Sequence, residues 1–269
     1  MSPPVAALLG VVEGLTEYLP VSSTGHLVLV GHWLGADSEA SKSFEIVIQL
    51  GAILAVVAHY RALLGARLAG LFRGERASRD LAIALAVAFV PTAIAGLLLR
   101  KTVKRLLFGP VPVAAALIVG GVAMIALERT RRRTQAPTLD GLEHVTPRRA
   151  LAIGLGQCLS LWPGASRSMC TIVAGQLTGL STATAAEFSF LLALPTLGAA
   201  TLYELAKARA ELLGAEGAAA SLAIGAGVSF VVAWAVIAGF LRYLNRHGLE
   251  PFGWYRVVIG VVVLAVLRG

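Results

Sequence analysis

Six apolar stretches of near-spanning length constrain the fold of this chain more than any other feature. A helix of about 20 apolar residues covers the hydrocarbon core of a bilayer, and only helices and closed barrels satisfy all backbone polar groups inside lipid. The composition agrees, because 57% of the residues are hydrophobic, 14% are charged and the mean hydropathy is +0.78. A soluble domain does not have this composition. The predicted spans are 44–64, 81–99, 111–127, 188–205, 222–241 and 255–267.

The basic residues lie in short connections between these stretches, although the net charge is +8. Arginine-rich segments at 67–79 and 129–149 are separated by two spans, so we expect both on the cytoplasmic side. A weaker basic cluster at 100–105 falls on the expected outer side. The charge is therefore explained by membrane topology, and we expect a lipid environment and no nucleic-acid partner.

The two halves of the chain resemble each other, which is typical of a duplicated unit. We expect a single integral membrane domain with repeats at about 1–130 and 148–269, joined by a linker at 131–147. Each half holds one segment interrupted by polar residues and then three clean spans, and an odd number of crossings makes the halves inverted. A shift of 144 residues places Gly10 on Gly154, Glu13 on Gln157, Leu15 on Leu159, Thr16 on Ser160, Ser22 on Ser166 and Phe44 on Phe188.

The two interrupted segments, 5–34 and 150–178, break at Pro20 and at Pro163-Gly164. Neither arm is long enough to cross comfortably, so each segment is predicted to be a re-entrant helix-loop-helix. Non-helical backbone at membrane depth must be buried in protein or line a polar cavity, so the two tips should meet inside the molecule. The predicted fold class is an all-α polytopic membrane protein with six spans and two re-entrant hairpins.

The first interrupted segment carries two carboxylates, Glu13 and Glu17, one helical turn apart. Ionisable groups at membrane depth indicate function. The pair could hold a hard divalent cation such as Mg²⁺ or Ca²⁺, or one carboxylate could act as a general base. The alternative is an interfacial helix that exposes both carboxylates to water. The same segment also contains three hydroxyl groups and one imidazole, those of Ser22, Ser23, Thr24 and His26.

The second interrupted segment places Arg167 among hydroxyl groups directly after a Pro-Gly break. A guanidinium fork, hydroxyl donors and the free N–H groups of a helix start are the chemistry of a phosphate site. The alternative is a loop arginine that reaches the lipid headgroups, with the serines as ordinary helix caps. The hydroxyl groups are those of Ser166, Ser168 and Thr171.

These motifs together resemble the bacterial undecaprenyl pyrophosphate phosphatase family, whose members include bacitracin-resistance proteins. The matching features are Glu13-x-x-x-Glu17 followed by Pro-Val-Ser-Ser-Thr-Gly-His26, then Pro163-Gly-x-Ser-Arg-Ser-x-x-Thr171. The stretch at 44–57 after the first hairpin also resembles the family, so the similarity covers essentially the whole chain. Met169 and Cys170 depart from the smaller residues expected there.

The resemblance implies hydrolysis of undecaprenyl pyrophosphate to undecaprenyl phosphate and inorganic phosphate. It also implies a multi-pass protein of the bacterial cytoplasmic membrane whose site opens on the outer, periplasmic side. This reaction would recycle the lipid carrier for peptidoglycan synthesis and confer resistance to bacitracin. The remaining alternative is an inverted-repeat transporter or flippase of a polyprenyl phosphate.

The resemblance also suggests roles for individual residues. Arg167, with Ser166, Ser168 and Thr171, would hold the diphosphate, and Ser22, Thr24 and Gln49 would add substrate contacts. Glu13 and Glu17 would hold the divalent cation or activate the nucleophile. Three nucleophiles stay open, namely Ser23 activated by Glu17 or His26, His26 itself, and a water molecule positioned by them, and we favour Ser23 or His26. Glycine-rich stretches such as Gly120-Gly121 and 223–227 would allow close helix packing, and we include a homodimer among the expected partners.

Overall fold

The protein is an all-helical bundle in the ranges that its computed structural model describes, residues 1–34, 39–107, 109–135, 137–213, 218–244 and 246–266. One isolated backbone bridge joins Leu139 to Leu180. The helices are α1 Pro3–Thr16, α2 Ser23–Trp33, α3 Glu39–His59, α4 Arg61–Phe72, α5 Arg76–Leu106, α6 Pro110–Thr134, α7 Pro147–Gln157, α8 Arg167–Leu177, α9 Thr182–Leu213, α10 Ala218–Leu244 and α11 Glu250–Val266, with 3₁₀ turns at Leu142–His144 and Cys158–Leu161.

Four of the described helices, α5, α6, α9 and α10, are long and apolar enough to cross a membrane. Each of them contains one of the predicted spans. The prediction of an all-α, multi-pass membrane protein is confirmed. The segments that meet the length and composition criteria are Arg76–Val103, Pro110–Thr134, Thr182–Lys207 and Ala218–Leu244.

The first and last predicted spans differ from the structure. The span predicted at 44–64 is a helix that ends at His59 and continues as α4 after a bend of 73°. Three apolar residues, Ala62 to Leu64, follow Arg61, so hydropathy averaged over the stretch does not register the change of direction. Counted as one broken span, this pair is a fifth crossing. The span predicted at 255–267 corresponds to α11, whose described part has 17 residues, so the count of six spans is not confirmed.

Both interrupted segments are helical hairpins with closely similar tips. The backbone φ is +77° at Ser22 and +72° at Ser166, an uncommon region for residues other than glycine. Each serine hydroxyl accepts a hydrogen bond at 3.2 Å from the backbone N–H three residues later, that of Gly25 or Met169. Related halves would share such a tip, although the duplication itself and the depth of the hairpins in a membrane stay predictions.

Helices from the two halves pack tightly against each other. Helix α1 lies on α10, and a Cβ on Gly14 would approach the carbonyl oxygen of Ser229 to 2.8 Å. Such contact between backbones needs small residues. The glycine-rich stretches also pack within the chain, because a Cβ on Gly121 would lie 2.6 Å from the Gly253 carbonyl oxygen. The predicted homodimer stays a prediction.

Candidate active site

An ion pair between Arg167 and Glu17 joins the tips of the two hairpins. Nε and Nη2 of Arg167 donate to Oε1 of Glu17 at 3.3 and 3.1 Å, and the side chains are 8% and 5% exposed. Nη1 donates to the carbonyl oxygen of Ser189 at 2.8 Å and to its Oγ at 3.2 Å. A buried ion pair needs such additional hydrogen bonds to offset the desolvation of its charges. The tips therefore meet inside the protein, as the two broken segments predict.

The hydroxyl group of Ser23 contacts the same carboxylate. Its Oγ donates to Oε2 of Glu17 at 2.5 Å, at the first residue of α2. Glu17 thus binds the arginine through one oxygen and the serine through the other. A carboxylate in this position can accept the proton of the hydroxyl group, which is the geometry that activation of a serine requires.

His26 contacts a different part of the protein. Its Nδ1 lies 2.7 Å from the carbonyl oxygen of Ser22, and a carbonyl only accepts, so Nδ1 carries the proton. In the neutral ring Nε2 therefore accepts the hydroxyl hydrogen of Tyr255 at 2.7 Å. The two rings are stacked with an interplanar angle of 3°. Both nitrogens are thus occupied by partners other than Glu17 and Ser23.

A cavity of about 610 Å³ lies between the tips and the neighbouring helices. This volume is in the range of small-molecule sites. Its walls combine polar groups at the tips with apolar side chains of α5 and α9, including Phe89, Leu97 and Leu197. The predicted site residues that line it are Glu17, Ser22, Ser23, Thr24, Gln49, Ser166 and Arg167. A polar head with an apolar extension matches this lining.

Two residues predicted to bind substrate hold the second tip in place and lie outside the cavity lining. The Ser168 hydroxyl donates to the carbonyl oxygen of Leu19 in the first hairpin at 2.9 Å. Oγ1 of Thr171 lies 2.7 Å from Oγ of Ser189, the residue that also accepts from Arg167. Thr171 thus holds a partner of the guanidinium group, and Ser168 joins the second tip to the first hairpin.

Glu13 is fully buried and also lies outside the cavity lining. Within the described structure, neither of its carboxylate oxygens has a hydrogen-bond partner. The described residues contain no group of three or more His, Cys, Asp or Glu side chains arranged to hold a metal. Magnesium, however, is often bound by one or two carboxylates together with substrate phosphate oxygens. The unpaired carboxylate of Glu13, one helical turn from Glu17, is the feature of the described site that is compatible with a cation of this kind.

Arg256 is a site residue that the sequence predictions missed. It is fully buried in α11, and its guanidinium group donates to carbonyl oxygens of both tips, Pro20 at 3.1 Å and Gly164 and Ala165 at 3.0 Å. A fourth acceptor is the carbonyl oxygen of Ala116 in α6, at 3.1 Å. The available signal was an arginine inside an apolar stretch, which indicates a functional position in a membrane protein.

Gly120 makes room for this arginine. A Cβ at position 120 would lie 2.4 Å from Nη2 of Arg256, a distance that side chains do not adopt. The lack of a side chain at Gly120 therefore leaves the space between α6 and α11 that the guanidinium group of Arg256 occupies.

Comparison with known proteins agrees with this geometry. A sequence model of the family described as bacitracin resistance protein BacA matches residues 6–262. This chain belongs to the BacA family. The match includes both hairpins, the span-length helices and the helix that carries Arg256.

Relatives from three bacteria match nearly the whole chain. A protein of Sorangium cellulosum named undecaprenyl-diphosphatase is 61% identical over 96% of this chain and 84% of its own length. A protein of the same name from Nitrosomonas europaea is 46% identical over 96% of this chain and 92% of its own. A third, from Thermoanaerobacter pseudethanolicus, is 45% identical over 97% of this chain and 96% of its own.

Proposed function

We propose that this protein hydrolyses undecaprenyl diphosphate to undecaprenyl phosphate and orthophosphate. The observation that carries the proposal is the contact of Arg167 and Ser23 with the two oxygens of Glu17, at the wall of a cavity with a polar end and apolar sides. The relatives named undecaprenyl-diphosphatase support the same substrate. The reaction returns the lipid carrier to peptidoglycan synthesis and confers bacitracin resistance.

In the proposed reaction Arg167 and the N–H groups at the starts of α2 and α8 bind the terminal phosphate. Oγ of Ser23 attacks its phosphorus, and the hydroxyl proton passes to Glu17. The bond from phosphorus to the bridging oxygen breaks, and undecaprenyl phosphate leaves. Water then attacks the phosphoserine and keeps one of its protons on the new P–OH group while the other passes to solvent. The bond to Oγ breaks, orthophosphate leaves, and Ser23 recovers its proton from Glu17. His26 does not line the cavity, so the structure favours Ser23 over His26 as the nucleophile.

A divalent cation, Mg²⁺ or Ca²⁺, is also part of the proposal. Glu13 and Glu17 would hold it, and it would neutralise charge on the diphosphate oxygens. The unpaired buried carboxylate of Glu13 supports this role.

We place the protein in the bacterial cytoplasmic membrane with the cavity open to the outer side. Helix α5 begins at Arg76, in the arginine-rich segment expected on the cytoplasmic side. Arg100, near its other end, lines the cavity together with Glu204. The end of the cavity at these residues therefore faces outward. A cysteine placed at position 74 should not react with a membrane-impermeant thiol reagent added from outside. Labelling of that cysteine would reverse this orientation. A cysteine at Asp37, on the expected outer side, would be the second test position, but Asp37 lies outside the described residues.

Phosphate release by the purified protein tests the proposed activity. Undecaprenyl or farnesyl diphosphate in detergent should release orthophosphate only in the presence of a divalent cation, and Glu17→Gln should abolish the release. A transporter or flippase would release none and would move the lipid across liposome membranes. That second result would refute the proposal.

A further inference from the structure

A second cavity, of about 450 Å³, adjoins the reaction cavity. The two cavities have several lining residues in common, so they lie directly next to each other. The second cavity extends toward the end of α5 that we place on the outer side. The shared residues are Thr24, Ile46, Gln49, Gly96, Arg100, Leu161 and Glu204.

Arg100 and Glu204 face each other where the cavities join. The distance from Nη2 of Arg100 to Oε2 of Glu204 is 3.6 Å, longer than a hydrogen bond. The other carboxylate oxygen accepts from Oγ of Ser43 at 3.0 Å, which fixes Glu204 against α3. The guanidinium carbon lies 4.9 Å from the centre of the Tyr203 ring, a stacking distance. Glu204 therefore sets the direction of the arginine without satisfying its donors.

The side chain of Arg100 is also much more exposed than that of Glu204. The Arg100 side chain is 47% exposed, whereas that of Glu204 is 11% exposed. A planar guanidinium group that is stacked on one face still presents its N–H edge, the geometry that binds phosphate through two hydrogen bonds. Arg100 is thus oriented and accessible, in the manner of a residue that receives an anion from outside.

The charges that line the second cavity balance when all are ionised. Lys207 lies one turn beyond Glu204 on α9, and Glu45 lies on α3. Lys207 is therefore a second cation beside Arg100 that a phosphate group in this cavity can contact.

We propose that Arg100, assisted by Lys207, forms a relay site for a phosphate group between the outer opening and Arg167, and that Glu204 competes with this phosphate for Arg100. The inference rests on the proposed diphosphatase activity. The phosphate group belongs either to the arriving lipid diphosphate or to the departing orthophosphate. Both present the same oxygens to the guanidinium group, and kinetics separates them.

The test compares two variants that should act in opposite directions. Hydrolysis of farnesyl diphosphate by the full-length purified protein gives KM, kcat and the inhibition constant of added orthophosphate. Arg100→Gln removes the group that binds the phosphate, so it should raise KM or the inhibition constant about fivefold. Glu204→Gln removes the carboxylate that competes with the phosphate for Arg100, so it should lower the same constant. A shift in KM assigns the site to the lipid headgroup, and a shift in the inhibition constant assigns it to the free product.

The matched control is Lys101→Gln, which removes an exposed positive charge next to Arg100 without touching either cavity. The inference is overturned if the Arg100 and Glu204 variants match this control, or if both shift the constants in the same direction. If Glu204→Gln does not fold, Arg100→Lys takes its place in the test. This variant keeps the positive charge but loses the planar guanidinium group, so it should weaken phosphate binding less than Arg100→Gln does.

Absence of phosphate release by the wild-type protein would refute the proposed activity and not the relay site. Calorimetric titration with inorganic phosphate then tests the site directly. The wild-type protein should bind phosphate more tightly than Arg100→Gln, and equal binding would contradict the inference.

Discussion

The arginine that joins both hairpin tips gives the most specific prediction. Arg256→Met would remove the donor from three carbonyl oxygens outside the helices, those of Pro20, Gly164 and Ala165. A buried polar group left without its partner costs about 1–3 kcal/mol, so the summed loss is about 3 kcal/mol or more. For a protein of this size that loss lowers the thermal unfolding midpoint by about 6 °C or more.

The same change should disturb the reaction site, because Arg256 sets the distance between the tips that carry Glu17 and Arg167. A displacement of about 1 Å can cost about 10²-fold in turnover, and we expect kcat to fall by that order. Thermal unfolding in detergent and farnesyl diphosphate hydrolysis measure the two effects.

Two further variants sharpen this test. Arg256→Lys keeps the charge but not the planar fork, so it should be intermediate. Arg246→Met removes an exposed arginine and should change neither quantity. If Arg256→Met has the wild-type unfolding midpoint and turnover, Arg256 does not hold the two tips together. If Arg256→Met is less stable but turns over normally, Arg256 does not position the tips for the reaction.

Three other changes test separate parts of the account. Arg167→Ala should lower kcat by at least about 10²-fold with the fold retained, and near-normal turnover would remove this arginine from the site. Gly14→Leu should lower the unfolding midpoint, since no space exists between α1 and Ser229; an unchanged midpoint would contradict the packing. Tyr255→Phe removes the hydroxyl group that contacts His26 and should change kcat by less than about threefold; a loss of tenfold would place the histidine in the chemistry.

The sequence predicts those features that depend on local composition. Helices α5, α6, α9 and α10 follow from apolar length, and the two broken segments follow from Pro20 and Pro163 with polar residues beside them. The meeting of Glu17 and Arg167 follows from the rule that broken backbone inside a membrane must be buried or line a polar cavity.

The features that hydropathy does not encode were missed. The bend at Tyr60 has apolar residues on both sides, so the predicted span runs through it despite the polar His59 and Arg61. Arg256 lies within a predicted span, and its role was not predicted. Its partners are backbone carbonyl groups, which every residue has and which therefore leave no pattern in the sequence. Sequence spacing likewise grouped His26 with Ser23, although α2 points the imidazole toward Tyr255 and the serine toward Glu17.

In the proposed reaction Ser23, activated by Glu17, attacks phosphorus. Orthophosphate release from undecaprenyl diphosphate by Ser23→Ala tests this step, with Thr24→Ala as the control, since Thr24 lines the same cavity. We expect Ser23→Ala to lose at least about 10³-fold in kcat and Thr24→Ala to stay within about tenfold of the wild-type protein. Wild-type turnover by Ser23→Ala would contradict it.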